Sequence, residues 1–156
     1  MKRLIYVIAI VMIPSFAFGQ KADFSGAWKL KEKEAGQGYG NSLAPSTLVL
    51  EQTSNALTMK KNFTWDGQDI NSIEKYTFDG MVCKNPPDAD KAKTSIVSWE
   101  QNNTRLKISS KIPLVNEGQE ATIIEVFWMD GDKLVIESSA TSPDGELIER
   151  FILERQ

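Results

Sequence analysis

The chain has 156 residues, 41% of them apolar, and its 18 basic and 21 acidic side chains give a formal charge of −3. It has no histidine and one cysteine, Cys83. The first absence removes the usual general base and the commonest metal ligand, the second rules out an intrachain disulfide, and a mildly acidic chain without basic runs argues against nucleic acid or an anionic membrane as partner.

Lys2 and Arg3 precede an unbroken apolar run from Leu4 to Ile13, which Pro14 breaks, and Ser15 to Gly19 supplies small residues at a cleavage position. This is the pattern of a secretory signal, and the run is shorter than the roughly 20 apolar residues of a membrane span. The expectation is a signal peptide over 1–19 and one domain over 20–156, secreted or periplasmic, with no stable membrane insertion. Removal of Lys2 and Arg3 takes the formal charge to about −5.

The mature chain opens on Asp23 to Lys31, where Phe24, Gly26, Trp28 and Leu30 alternate with Ser25, Ala27, Lys29 and Lys31. Period two predicts a half-buried strand. Gly26 lets another backbone approach, and the Trp28 indole needs one hydrogen-bond acceptor when buried. Glu32 to Pro45 carries Gly36, Gly38 and Gly40, which predict a mobile loop without packing of its own.

Short strand patterns then follow at Thr47–Gln52, Leu57–Trp65, Ile73–Phe78, Thr94–Glu100, Leu106–Ile112, Ala121–Met129, Lys133–Ala140 and Glu146–Glu154. Turn residues separate them: Thr53-Ser54-Asn55, Asp66-Gly67, Asp79-Gly80, Asn102-Asn103, Asp130-Gly131-Asp132 and Ser142-Pro143-Asp144-Gly145. Met81 to Ala92, with Pro86-Pro87, reads as irregular. Nothing predicts a helix, a linker or a repeat. The fold class is all-β: an antiparallel meander that closes into a single up-and-down β-barrel of about eight or nine strands, the last beside the first, with a β-sandwich as the competing architecture.

Gly26 and Trp28 in the first strand, behind a signal peptide and ahead of such a meander, resemble the opening motif of the lipocalins and the wider calycin group, in particular the lipocalin-like secreted proteins of Gram-negative bacteria. The resemblance spans Asp23 to Arg155. It implies that a basic residue of the last strand packs across the Trp28 ring at the closed base, by cation–π stacking and hydrogen bonds to strand-end carbonyls. Arg150 and Arg155 are both candidates, because both faces of that strand are mixed. The resemblance also implies that the connection after the first strand folds over the open mouth, where Tyr39 would act as an amphipathic plug. The middle motif of true lipocalins is not recognisable.

Residues in phase with the interior are the candidate ligand contacts. Leu57, Met59, Lys61, Phe63 and Trp65 share a face, so Lys61 is a charge on an apolar wall; a ligand carboxylate could pair it, or its stem could carry the ammonium to the rim. Tyr76 and Phe78 share a face with Glu74, and Trp99 with Val97. Together with Tyr39, these residues form a candidate wall for a lipid, terpenoid or aromatic guest, the plainer reading of the aromatics being barrel core. No cofactor or metal is expected: Asp88 and Asp90 hint at a calcium loop, but Lys91 and Lys93 stand where oxygens are needed. Without histidine the usual acyl-transfer triad is excluded, and no catalytic residues are assigned. The expected function is therefore non-enzymatic binding of a small hydrophobic ligand inside a monomeric barrel. The alternative is a protein-interaction module whose barrel is filled by its own side chains, and an interior volume on the order of 300 Å³ or more separates the two.

Overall fold

Alternation of apolar and polar residues carries through to ten strands: β1 (Gly26–Glu34), β2 (Thr47–Gln52), β3 (Ala56–Trp65), β4 (Gln68–Thr77), β5 (Cys83–Asn85), β6 (Lys93–Glu100), β7 (Arg105–Pro113), β8 (Glu120–Asp130), β9 (Lys133–Ser142) and β10 (Gly145–Arg155). The structure, a computed structural model, describes residues 20–34, 36, 38, 42–65, 67–114 and 118–156. The expected signal peptide over 1–19, Tyr39 and Gly40 lie outside the described residues.

The sheet order β4-β3-β2-β1-β10-β9-β8-β7-β6-β5 is an antiparallel meander in which the last strand returns to the first, Trp28 pairing with Arg155 and Leu30 with Leu153. Ten strands replace the eight or nine expected. The additional one is β5, three residues inside the stretch read as irregular, too short beside Pro86-Pro87 to show a period. In addition, β4 starts at Gln68 rather than Ile73. Gln68 and Asp69 pair directly with Trp65 and Thr64. Gln101, Asn102 and Asn103 all have positive φ in the turn after β6.

Among the described residues no ladder joins β4 to β5, and side chains bridge that gap. The Asn85 amide accepts from the Lys75 N–H at 2.9 Å and donates to the Lys75 carbonyl at 3.1 Å. Cys83, a free, half-buried thiol, accepts from the Thr77 N–H at 3.3 Å. Side chains thus satisfy backbone groups that an open edge would leave unpaired.

One end of the barrel is closed and solid. Trp28 is fully buried, its Nε1–H donates to the Phe24 carbonyl at 3.0 Å, and the Arg155 guanidinium lies 4.5 Å from the ring centre. Arg155 also donates to the Ser25 carbonyl at 3.0 Å. Arg150 is elsewhere: on the outer face it stands 5.6 Å from the Trp128 ring, which Arg105 flanks at 4.5 Å. Register decides between the two arginines, since Arg155 is the cross-strand partner of Trp28. Gly26 has φ 147°, a backbone conformation that residues with a Cβ rarely adopt, and a Cβ there would also displace the Arg155 guanidinium.

The glycine-rich segment differs from the loop expected. Gly36 lies against the Ile148 carbonyl and Gly38 against that of Glu146, so close that a Cβ at either position would overlap the β10 backbone. Gly38 forms a bridge with Leu147. These glycines permit close approach to β10; they are packed.

Candidate functional site

Beyond the solid base, the inner face opens. Ile112 and Leu114 at the end of β7, Ala121 and Ile123 of β8, Ala140 of β9 and Leu147 of β10 face Phe63 and Ile70 across a cavity of about 620 Å³. All lie at strand ends opposite Trp28, so this is the barrel mouth. Leu43 leans over it, held by its backbone N–H, which donates to the buried Glu149 carboxylate at 2.8 Å. Lys33 also pairs with Glu149, at 3.5 Å.

A second cavity of about 160 Å³ shares Leu43, Phe63, Ile112 and Ile123 with the first and ends on Lys61, Ser72, Glu74, Lys93 and Glu125. The site is therefore an apolar funnel with a charged floor. Lys61 Nζ donates to Glu125 Oε1 at 2.6 Å and stands 3.9 Å from Glu74 Oε2. Lys93 Nζ pairs with Glu74 Oε1 at 2.5 Å, and the Tyr76 hydroxyl donates to Glu74 Oε2 at 2.7 Å. Two lysines and two glutamates, with side chains no more than 13% exposed, make a cluster of zero formal charge. Below it, Tyr76, Leu57, Met59, Ile108, Phe127, Ile136 and Phe151 fill the barrel.

Burial opposes the charge on Lys61, but the carboxylates of Glu125 and Glu74 outweigh it and hold the ammonium above the ordinary lysine value. Burial also pushes the Glu74 carboxyl up; Lys61, Lys93 and the Tyr76 hydroxyl overcome it, leaving Glu74 below the ordinary carboxylate range. The Tyr76 hydroxyl is driven up by burial and by the charges of Glu125 and Glu74, so it remains a donor.

These shifts set a pH dependence. Glu74 ionises more readily folded than unfolded, so its stabilisation is complete above the ordinary value of 4.5 and is lost as pH falls through the lower folded value. Lys61 runs the other way: its contribution holds below the ordinary 10.5 and is lost as pH rises through the raised folded value. Urea midpoints followed from neutrality down to about pH 3 should fall more steeply for the parent than for Glu74→Gln. Parallel curves would show that the cluster is not linked to folding.

The structure places the sequence candidates at different depths. Phe63 lines both cavities and Lys61 the deeper one. Tyr76 is buried beneath the floor, with its hydroxyl on Glu74. Phe78 and Trp99 sit at the closed end instead, Trp99 stacked on Phe24 at 6.0 Å and edge-on to Phe78 at 5.3 Å, with the Lys21 ammonium over both rings. Neither lines either cavity. Glu125, Lys93 and Leu43 belong to the site without having been singled out for it. Among the described residues no group of three or more Cys, Asp or Glu side chains could hold a metal ion.

No protein-family model matches the chain, and no curated protein matches it by sequence. Solved structures do match. Zebrafish ileal bile acid-binding protein complexed with cholic acid is 14% identical, with a TM-score of 0.56 over 85% of this chain and 98% of its own. Caenorhabditis elegans lipid binding protein 8 is 16% identical and a mutant of the fluorescent protein UnaG 19%, both with a TM-score of 0.53 over 85% of this chain and 95% of theirs. The chain shares with these structures a nearly closed, antiparallel all-β barrel. At these identities the likeness is one of fold alone.

Proposed function

We propose that this chain is a secreted or periplasmic, lipocalin-like protein that holds a small hydrophobic molecule in the barrel mouth and performs no chemistry on it. The observation that carries this reading is the apolar cavity of about 620 Å³ at the end opposite Trp28. That volume lies within the roughly 300–1,000 Å³ of small-molecule sites and above what a side-chain-filled barrel leaves open. The likeness to structures titled as bile acid- and lipid-binding proteins supports the same class of ligand. Export rests on the signal pattern over 1–19.

The test is to express the full chain, recover it natively and analyse polypeptide and organic extract by mass spectrometry. The expected result is a chain beginning at Gln20 with a co-purifying apolar compound. Ile123→Trp places an indole in the cavity and should abolish uptake of hydrophobic dyes while leaving the fold cooperative. An empty extract, with no dye bound by the parent, would refute the binding reading; a full-length polypeptide retained in the cytoplasm would refute export.

A further inference from the structure

The floor of the funnel limits what the polar end of a ligand can be. Glu125 is 7% exposed and lines the deeper cavity, yet only one of its carboxylate oxygens is used: Oε1 accepts from Lys61, while buried Oε2 has no hydrogen-bond partner among the described residues. Ser138, directly across the strand pair from Glu125, is likewise buried with its hydroxyl unpartnered. A buried carboxylate oxygen left without a donor is unfavourable. No hydrogen bond joins Glu125 and Ser138, so Glu125 Oε2 is left without a donor.

Charge balance narrows the choice. Lys61 and Lys93 are each already held by a carboxylate, and the four side chains sum to zero. A ligand carboxylate only accepts; it would add an uncompensated negative charge to a buried neutral cluster and face Glu125 Oε2 with another acceptor. A ligand ammonium donates, but it would add a positive charge beside two lysines. A neutral group that both donates and accepts meets every condition: it gives its proton to Glu125 Oε2 and takes one of the N–H groups that Lys61 does not spend on Glu125. A hydroxyl is the smallest such group.

Building on the proposed binding function, we infer that the ligand is a neutral, hydroxyl-bearing amphiphile whose hydroxyl seats between Lys61 and Glu125 Oε2, with its apolar body in the mouth lined by Phe63, Ile112, Ile123 and Leu147. The selectivity is set by the zero charge of the cluster, so changing that charge changes the preferred head group.

Displacement of a polarity-sensitive dye from the full domain by tetradecanol, myristate and tetradecylamine tests this. The three probes share a chain and differ in the head group, and cholesterol in parallel reports whether the apolar body is a chain or a fused ring. The parent should bind one of the alcohols at least about tenfold more tightly than myristate or the amine, a difference of about 1.4 kcal/mol. Glu125→Gln leaves the cluster with one net positive charge and should move the preference about tenfold or more toward myristate. Lys61→Gln/Glu125→Gln restores neutrality and should restore discrimination against myristate, which keeps the test decisive if the single variant does not fold. Myristate bound as tightly as either alcohol by the parent, or a head-group preference unmoved by charge in the variants, overturns the inference while leaving the binding function standing. Failure of the parent to bind the dye or any probe overturns both.

Discussion

Replacing Trp28 with alanine should destabilise the protein by about 3–5 kcal/mol, the range for emptying a core aromatic site. Three losses act together: a fully buried indole, the donor to the Phe24 carbonyl and the ring on which Arg155 stacks. Trp28→Phe should lose less, because it keeps most of the apolar contact and removes only the indole N–H from Phe24, a deficit of about 1–3 kcal/mol for a buried carbonyl left without its partner. Arg155→Ala should lose less again, since Arg155 is exposed and an exposed cation–π contact is worth about 0.5–1 kcal/mol. Urea denaturation of the three variants checks the order. An unchanged midpoint for Trp28→Ala would mean that the closed base does not hold the barrel together. A loss for Arg155→Ala as large as that for Trp28→Ala would instead mean that the guanidinium, and not the buried indole, carries the stability of the base.

The strands were legible because each face of a barrel wall repeats every second residue, as in Leu48 and Leu50 or Leu106 and Ile108. Closure was legible because a long meander with unprotected edges is unfavourable, and β1 does pair with β10. Depth was not legible. Period two tells which side of the wall a residue faces but not how far along the barrel axis it lies, and for that reason Phe78 and Trp99 share the inner face yet sit at the base. Glu125 escaped notice because β8 shows no clear alternation: Ile123 and Phe127 flank it on one face, and Ile124, Val126 and Trp128 make the other face equally apolar. Its partner Lys61 is 64 residues away in sequence, a relation set by register. Lys93 was read as spoiling a calcium loop, although as the first residue of β6 it belongs to the inner face beside Glu74. The alternating Gly36 and Gly38 signalled freedom of the backbone when the reason for them is the nearness of β10.

Lys61→Met should destabilise the protein by about 3–5 kcal/mol, the range for removing one partner of a buried pair. The expected cause is the charge left behind more than the attraction lost. In the parent the cluster is neutral; without Lys61 it carries one net negative charge, Glu125 loses its hydrogen bond from Lys61, and Glu74 keeps Lys93 and Tyr76. Lys61→Met/Glu125→Leu separates cause from contact. It discards the same 2.6 Å pair but leaves Glu74 and Lys93 as a balanced couple. Replacing a buried ion pair with apolar residues of similar volume is often neutral or stabilising, so the double variant should lie within about 1 kcal/mol of the parent or above it. Urea midpoints at neutral pH measure all three proteins, and a double variant as unstable as Lys61→Met would show that the pair itself holds the wall together. If the double variant is stable, the pair is not required by the fold. Its place at the end of an apolar funnel is then explained by what it recognises.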